Sequence, residues 1–290
     1  MPLFVTLPGF SKLLLRAFYV TAGMFVFWLC LNTIFKGDVW AGMTVSKSAL
    51  TVEYCEFNHT DRFFHQPMNT YSNLVYFFLG VLVLQISLLD YKNQGLKNGN
   101  RLEQFPLLSA LMGICFIYLS FGSAFFHASL TYIGQRVDMN GTYGITLVLV
   151  SIALYHVLHK INFNEQVKLR WAIALLILIV LFLKIALLIP SGILLPSLIL
   201  LLTVCVTVNY FQFRKQRSGW VAVLSLVLMV VAVKIRTLDV QKFGCNPHSL
   251  VQGHSVWHLL TGLSSFCSYS FFRFTGKTNT VSQPVAEIPN

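Results

Sequence analysis

Two histidines four residues apart, His254 and His258, open an apolar run that continues through Leu259, Leu260 and Phe266. At helical periodicity they project from one face. An apolar helix has little reason to carry two adjacent imidazoles unless something binds them; the alternative is a polar helix end at a membrane surface. A third histidine, His127, closes another apolar run, and Ser123 stands one turn before it on the same face. After a short turn, Asp138 enters the next apolar run. Three neutral imidazoles plus a water describe a catalytic zinc site with its fourth position open. Zinc lowers the pKa of such a water toward neutrality. Asp138 is then suited to carry the proton from water to a leaving group, and Ser123 to donate a hydrogen bond to a developing oxyanion. The chemistry implied is metal-assisted hydrolysis of a carbonyl compound. Taken singly, each residue has a plainer role: Ser123 as a small residue for close helix packing, Asp138 as a helix N-cap paired with Arg136. Ser255 occupies the glutamate position of the His-Glu-x-x-His motif, which counts against a metalloprotease.

The elements that must position these residues are membrane spans. Of the 290 residues, 56% are hydrophobic and only 11% charged, and the mean hydropathy is +0.68. A soluble domain would carry about a quarter charged residues. Runs of about 20 apolar residues predict eight spans, near 17–35, 69–89, 105–130, 137–158, 171–189, 193–213, 220–238 and 254–272. The turn Pro190-Ser191-Gly192 divides what would otherwise be one overlong run. The fold class expected is all-α integral membrane, a seven-helix core with one additional N-terminal helix. The organisation expected is a cytosolic end and extra helix (or uncleaved signal anchor) over 1–36, an outer loop over 37–68, the core over 69–273, and a tail over 274–290 expected to be disordered. Lys12 and Arg16 precede the first run in the manner of a signal sequence, but no clear small-x-small cleavage site follows it.

The net charge of +11 does not signal nucleic acid, because basic residues gather in the cytoplasmic loops of membrane proteins. With both termini cytosolic, the inner segments hold Lys12 and Arg16; Lys92, Lys97 and Arg101; Lys160, Lys168 and Arg170; Arg214, Lys215 and Arg217; and Arg273 and Lys277. Outer loops hold only Lys36, Lys47, Arg62, Arg136 and Lys242. This orientation brings His127, Asp138, His254 and His258 to one leaflet, the outer or lumenal one. Arg236 and Asp239, near the outer end of the seventh span, are expected to satisfy one another or to touch a polar lipid head. Four cysteines (Cys30, Cys115, Cys205 and Cys267) lie within apolar runs, whereas Cys55 and Cys245 lie in polar loops.

Three blocks together carry a resemblance. The first is Cys55-Glu56-x-Asn58 followed by Pro67-Met68-Asn69-Thr70-Tyr71-Ser72-Asn73-Leu74. The second is Gly122-Ser123-x-x-x-His127, reaching Asp138 through Gln135. The third is Gly253-His254-Ser255-Val256-Trp257-His258-Leu259-Leu260-Thr261-Gly262. In these blocks the chain resembles the alkaline ceramidase family, within a wider superfamily of seven-helix membrane hydrolases. The resemblance implies hydrolysis of the amide bond of ceramide, an N-acyl sphingoid lipid reaching the site from the bilayer. It implies zinc on His127, His254 and His258, carbonyl polarisation by Ser123, and proton handling by Asp138. It also implies a disulfide between Cys55 and Cys245. A calcium site in the N-terminal loop is matched in part by Glu53, Tyr54, Glu56 and Asn58, with Gln66 where a carboxylate is expected.

Two other readings remain open on the motifs alone. A lipid ester hydrolase of the same superfamily would use the same groups on an easier electrophile. A receptor-like seven-helix protein would hold a structural zinc, closed by a fourth protein ligand. The partners expected are the lipid substrate and the bilayer, with no nucleic acid and no obligatory protein partner.

Overall fold

The computed structural model describes residues 9–37, 39–93, 100–189 and 191–274. The predicted tail beyond Phe274, the loop lysine Lys97 and the turn residue Pro190 lie outside the described residues. Among the described residues ten helices follow one another: α1 (Phe10–Ile34), α2 (Lys47–Leu50), α3 (Pro67–Ser72), α4 (Leu74–Lys92), α5 (Pro106–Ser129), α6 (Tyr132–Val157), α7 (Glu165–Leu188), α8 (Ser191–Gln212), α9 (Gly219–Val240) and α10 (Gly253–Arg273). Among the described residues there is no strand, only two isolated bridges, Lys36 with Arg62 and Val45 with Thr131. The chain is an all-α, multi-pass membrane protein.

Seven of these helices, α1 and α4 to α9, are long and apolar enough to cross a membrane. The last predicted span is also a helix, α10 with 21 residues, but it is not among those seven. The reason is in its sequence: His254, His258, Thr261, Ser264 and Ser268 line its buried side. Such a helix is tolerated in a bilayer when its polar face meets protein rather than lipid, and α10 packs against α9, α6, α3 and α4.

Local sequence sets the ends. Pro67 and Pro106 stand in the first turns of α3 and α5, where a missing N–H costs nothing. Thr131 caps α6 by accepting from Gly134 N at 3.2 Å. Leu130, with φ 52°, makes the left-handed turn that reverses the chain between α5 and α6. Three predicted starts were late: α1 begins at Phe10, α6 at Tyr132 and α7 at Glu165, since a cap and a polar first turn precede the apolar run in α6 and α7. The additional helix α1 lies on α4, burying Leu13 and Ala17 against Leu82 and Ile86. Further along, its Trp28 packs with Phe64, Ala124 and Ala128.

Candidate metal centre

The three histidines meet. The ligand atoms of His127, His254 and His258 lie within 4.8 Å of one another, and all three residues are buried. His127 Nε2 and His254 Nε2 are 3.1 Å apart, and the His254 and His258 rings are 4.5 Å apart between centroids.

The hydrogen bonds behind the rings decide which nitrogen faces inward. Gln66 Oε1, an acceptor only, lies 2.8 Å from His127 Nδ1, so that nitrogen carries the proton and Nε2 presents its lone pair. Ser72 Oγ lies 2.7 Å from His258 Nδ1. Its single proton goes to Asn69 O at 2.8 Å, so it must accept from His258, and His258 Nε2 also faces inward as a base. Metal-binding histidines characteristically donate their second N–H in this way. His254 is held differently: the Tyr54 ring lies over its imidazole, with centroids 3.9 Å apart and planes at 33°. The donor set, three neutral imidazoles, is of the kind zinc takes, and the residues present fit it.

Ser123 and Asp138 come together through a close helix crossing. A Cβ on Gly122 would lie 2.9 Å from Val137 Cγ1 and 3.2 Å from its backbone, so only glycine lets α5 and α6 approach here. The neighbouring residues, Ser123 and Asp138, consequently face one another. Ser123 Oγ is buried and makes no hydrogen bond of normal geometry; the group its hydroxyl faces is the Asp138 carboxyl. The predicted pairing of Asp138 with Arg136 at a helix cap is not found. Thr131 is the cap, and Arg136 instead donates to Leu183 O at 3.0 Å.

Below the histidines lies a cavity of about 600 Å³ between the α6–α8 and α9–α10 pairs. Tyr76, Trp257 and Thr261 line its end beside the site; Tyr210, Trp220 and Phe271 line the far end. Tyr76 Oη and Thr261 Oγ1, 2.6 Å apart, satisfy each other, leaving a mostly apolar wall of a size suited to lipid chains.

The loop before α3 is tied to the site. Cys55 and Cys245 form a disulfide across a sequence separation of 190, as the resemblance implied. The four residues of the partial calcium match have oxygens already engaged by groups of the protein. Glu56 accepts from Met68 N at 2.6 Å and from Asn69 N at 2.8 Å, Asn58 Oδ1 accepts from Gln66 Nε2 at 2.7 Å, Glu53 pairs with Arg236 at 3.1 Å, and the Tyr54 carbonyl accepts from Lys242 Nζ. Burial pushes the Glu56 carboxyl up to about 7 against the pull of those two backbone N–H groups. Calcium needs six to eight oxygen ligands, and this donor set does not fit it.

Three contributors escaped sequence reasoning. Gln66, the N-cap of α3, and Ser72, its last residue, hold His127 and His258, and nothing in their spacing to the histidines marks them. Asp239 was expected opposite Arg236. It accepts instead from Cys55 N at 3.2 Å and faces the Gly253 and His254 N–H groups at the start of α10. Gly253 permits that approach, since a Cβ there would lie 2.8 Å from Asp239 Oδ1.

The family model described as Ceramidase matches residues 46–286, which include the loop, the histidines, Ser123 and Asp138. No curated protein matches the chain. With the family model covering well over half of its length, this chain belongs to the ceramidase family.

Proposed function

We propose that the chain is a zinc-dependent intramembrane amidase that cleaves ceramide-like N-acyl sphingoid lipids into a sphingoid base and a fatty acid. The observation that carries this reading is the convergence of three buried imidazoles, two with their outer nitrogens spent on Gln66 and Ser72, at the head of an apolar cavity. When bound by His127, His254 and His258, zinc supplies a polarised water that ionises near neutral pH. Asp138 would take a proton from the attacking water as its oxygen joins the carbonyl carbon, and return it to the amide nitrogen as the C–N bond breaks. Ser123 donates its hydroxyl hydrogen to the carbonyl oxygen as negative charge develops there. The lipid chains lie in the cavity, and Trp257 and Thr261 guide the amide toward the histidines.

The metal-capable group has three members among the described residues, which supports a hydrolase over a structural zinc closed by a fourth ligand. The segments expected on the cytosolic side carry most of the basic residues of the sequence, which supports cytosolic termini and a site toward the outer or lumenal leaflet. The test is hydrolysis by the purified protein in mixed micelles, comparing N-acyl sphingosine with a diacylglycerol of equal chain length. Release of fatty acid and free amine from the N-acyl lipid is expected. Turnover of the ester alone would replace this reading with an esterase.

A further inference from the structure

One oxygen each of Glu53, Tyr54 and Asn58 and both carboxylate oxygens of Glu56 are engaged by side chains and N–H groups of the protein itself, and two of the engaging groups are cations. Arg236 takes Glu53 Oε1 at 3.1 Å, and the Lys242 ammonium takes the Tyr54 carbonyl. Lys242 stands in the short segment after α9, which also carries Cys245, bonded to Cys55; Asp239, in the last turn of α9, accepts from Cys55 N at 3.2 Å. Gln66, an amide where the partial calcium match calls for a carboxylate, donates to Asn58 and turns its own oxygen toward His127.

The backbone adds a second, independent observation. Lys242 has φ 58°, the left-handed region that glycine or asparagine adopts at least cost. A lysine in that conformation persists where its surroundings fix it. Here the side chain reaches inward to Tyr54, whose ring covers the His254 imidazole at 3.9 Å.

We infer that the Lys242 ammonium is the resident cation of this loop, so that Lys242 is a positioning residue for His254 through Tyr54 and the loop requires no bound calcium. The inference does not depend on the reaction proposed above; only its zinc readout does.

The experiment uses the full chain in detergent, in buffer freed of calcium over a chelating resin and then supplemented with calcium-free zinc. Calcium content and Tm are measured before and after adding millimolar calcium. No retained calcium and an unchanged Tm are expected. A ligand present at about a hundred times its Kd would raise the Tm by several degrees, and such a rise, or calcium retained at one per chain, would overturn the inference. Lys242→Gly then separates side chain from backbone. If the lysine served only its backbone position, glycine would be neutral or stabilising. The inference expects a Tm lower by several degrees and faster loss of zinc, with Lys242→Arg retaining more of the wild-type Tm than Lys242→Gly. A Lys242→Gly protein as stable as the wild type would contradict it. If the protein holds no zinc at all, the Tm and calcium results still decide the loop, and the zinc reading fails separately.

Discussion

In the first two turns of α10, the histidine side leaves hydrogen-bonding capacity unspent: His254 Nδ1 is buried without a hydrogen-bond partner. At its last turn, Arg273 is enclosed by groups that use it up. Its Nε donates to Asp90 at 2.8 Å and its Nη1 to Glu103 at 2.6 Å. The C-terminal carbonyls there are also taken: Phe271 O and Phe272 O accept from Arg217 at 2.7 and 2.8 Å, and Arg273 O accepts from Asn100 at 2.8 Å. One helix thus carries an end arranged for something outside the protein and an end that satisfies itself. In a membrane both kinds of polar group are costly. The pattern of partners, rather than polarity, separates chemistry from scaffolding.

Paired substitutions at the two ends sharpen that contrast. Asp138→Asn at the histidine end is expected to lower kcat by about 10²–10⁴, the usual worth of a general acid–base group, with zinc content and Tm unchanged. Asp90→Asn at the arginine end is expected to cost about 3–5 kcal/mol of stability by leaving Arg273 with a broken pair, while the folded fraction keeps its kcat. A large Tm loss in Asp138→Asn would erase the distinction. Next in size is the disulfide. Replacing Cys55 and Cys245 by serine is expected to cost about 2–4 kcal/mol, read as a Tm shift, and to loosen the loop that carries Tyr54.

Much of this was legible in the chain itself. The histidines, Ser123 and Asp138 stood at helical spacings in apolar runs, where a polar side chain has few innocent uses. The number of long helices followed from run length. What escaped was contact between elements distant in sequence. Gln66 and His127 are 61 positions apart and Asp239 and Cys55 are 184 apart, and one sequence holds no period that connects them. Arg236 and Asp239, three apart near a helix end, looked like partners; tertiary packing gave Arg236 to Glu53 and Asp239 to the start of α10.

Smaller effects probe how the ligands are held. Gln66→Ala is expected to weaken zinc binding about 10–100-fold, as losses of such outer hydrogen bonds do, measured by competition with a chromophoric chelator. Glu103→Ala, at the other end, should leave zinc affinity unmoved.

The smallest effect is a pH dependence. Glu56 binds its proton more tightly folded than unfolded, because burial raises it to about 7. Its contribution to stability is therefore full below the ordinary carboxylate range and is lost as pH rises toward 7. The Tm of the wild type should fall more between about pH 5 and 7 than that of Glu56→Gln; equal slopes would assign the pH dependence to other groups.

The most direct measurement is zinc stoichiometry taken together with N-acyl hydrolysis on the same preparation, for the wild type, a chelator-stripped and zinc-restored sample, and His258→Ala. The account predicts one zinc per chain, loss of hydrolysis on stripping, recovery on restoring zinc, and neither zinc nor hydrolysis in His258→Ala. Undiminished hydrolysis by the stripped protein, or full zinc content in His258→Ala, would contradict it.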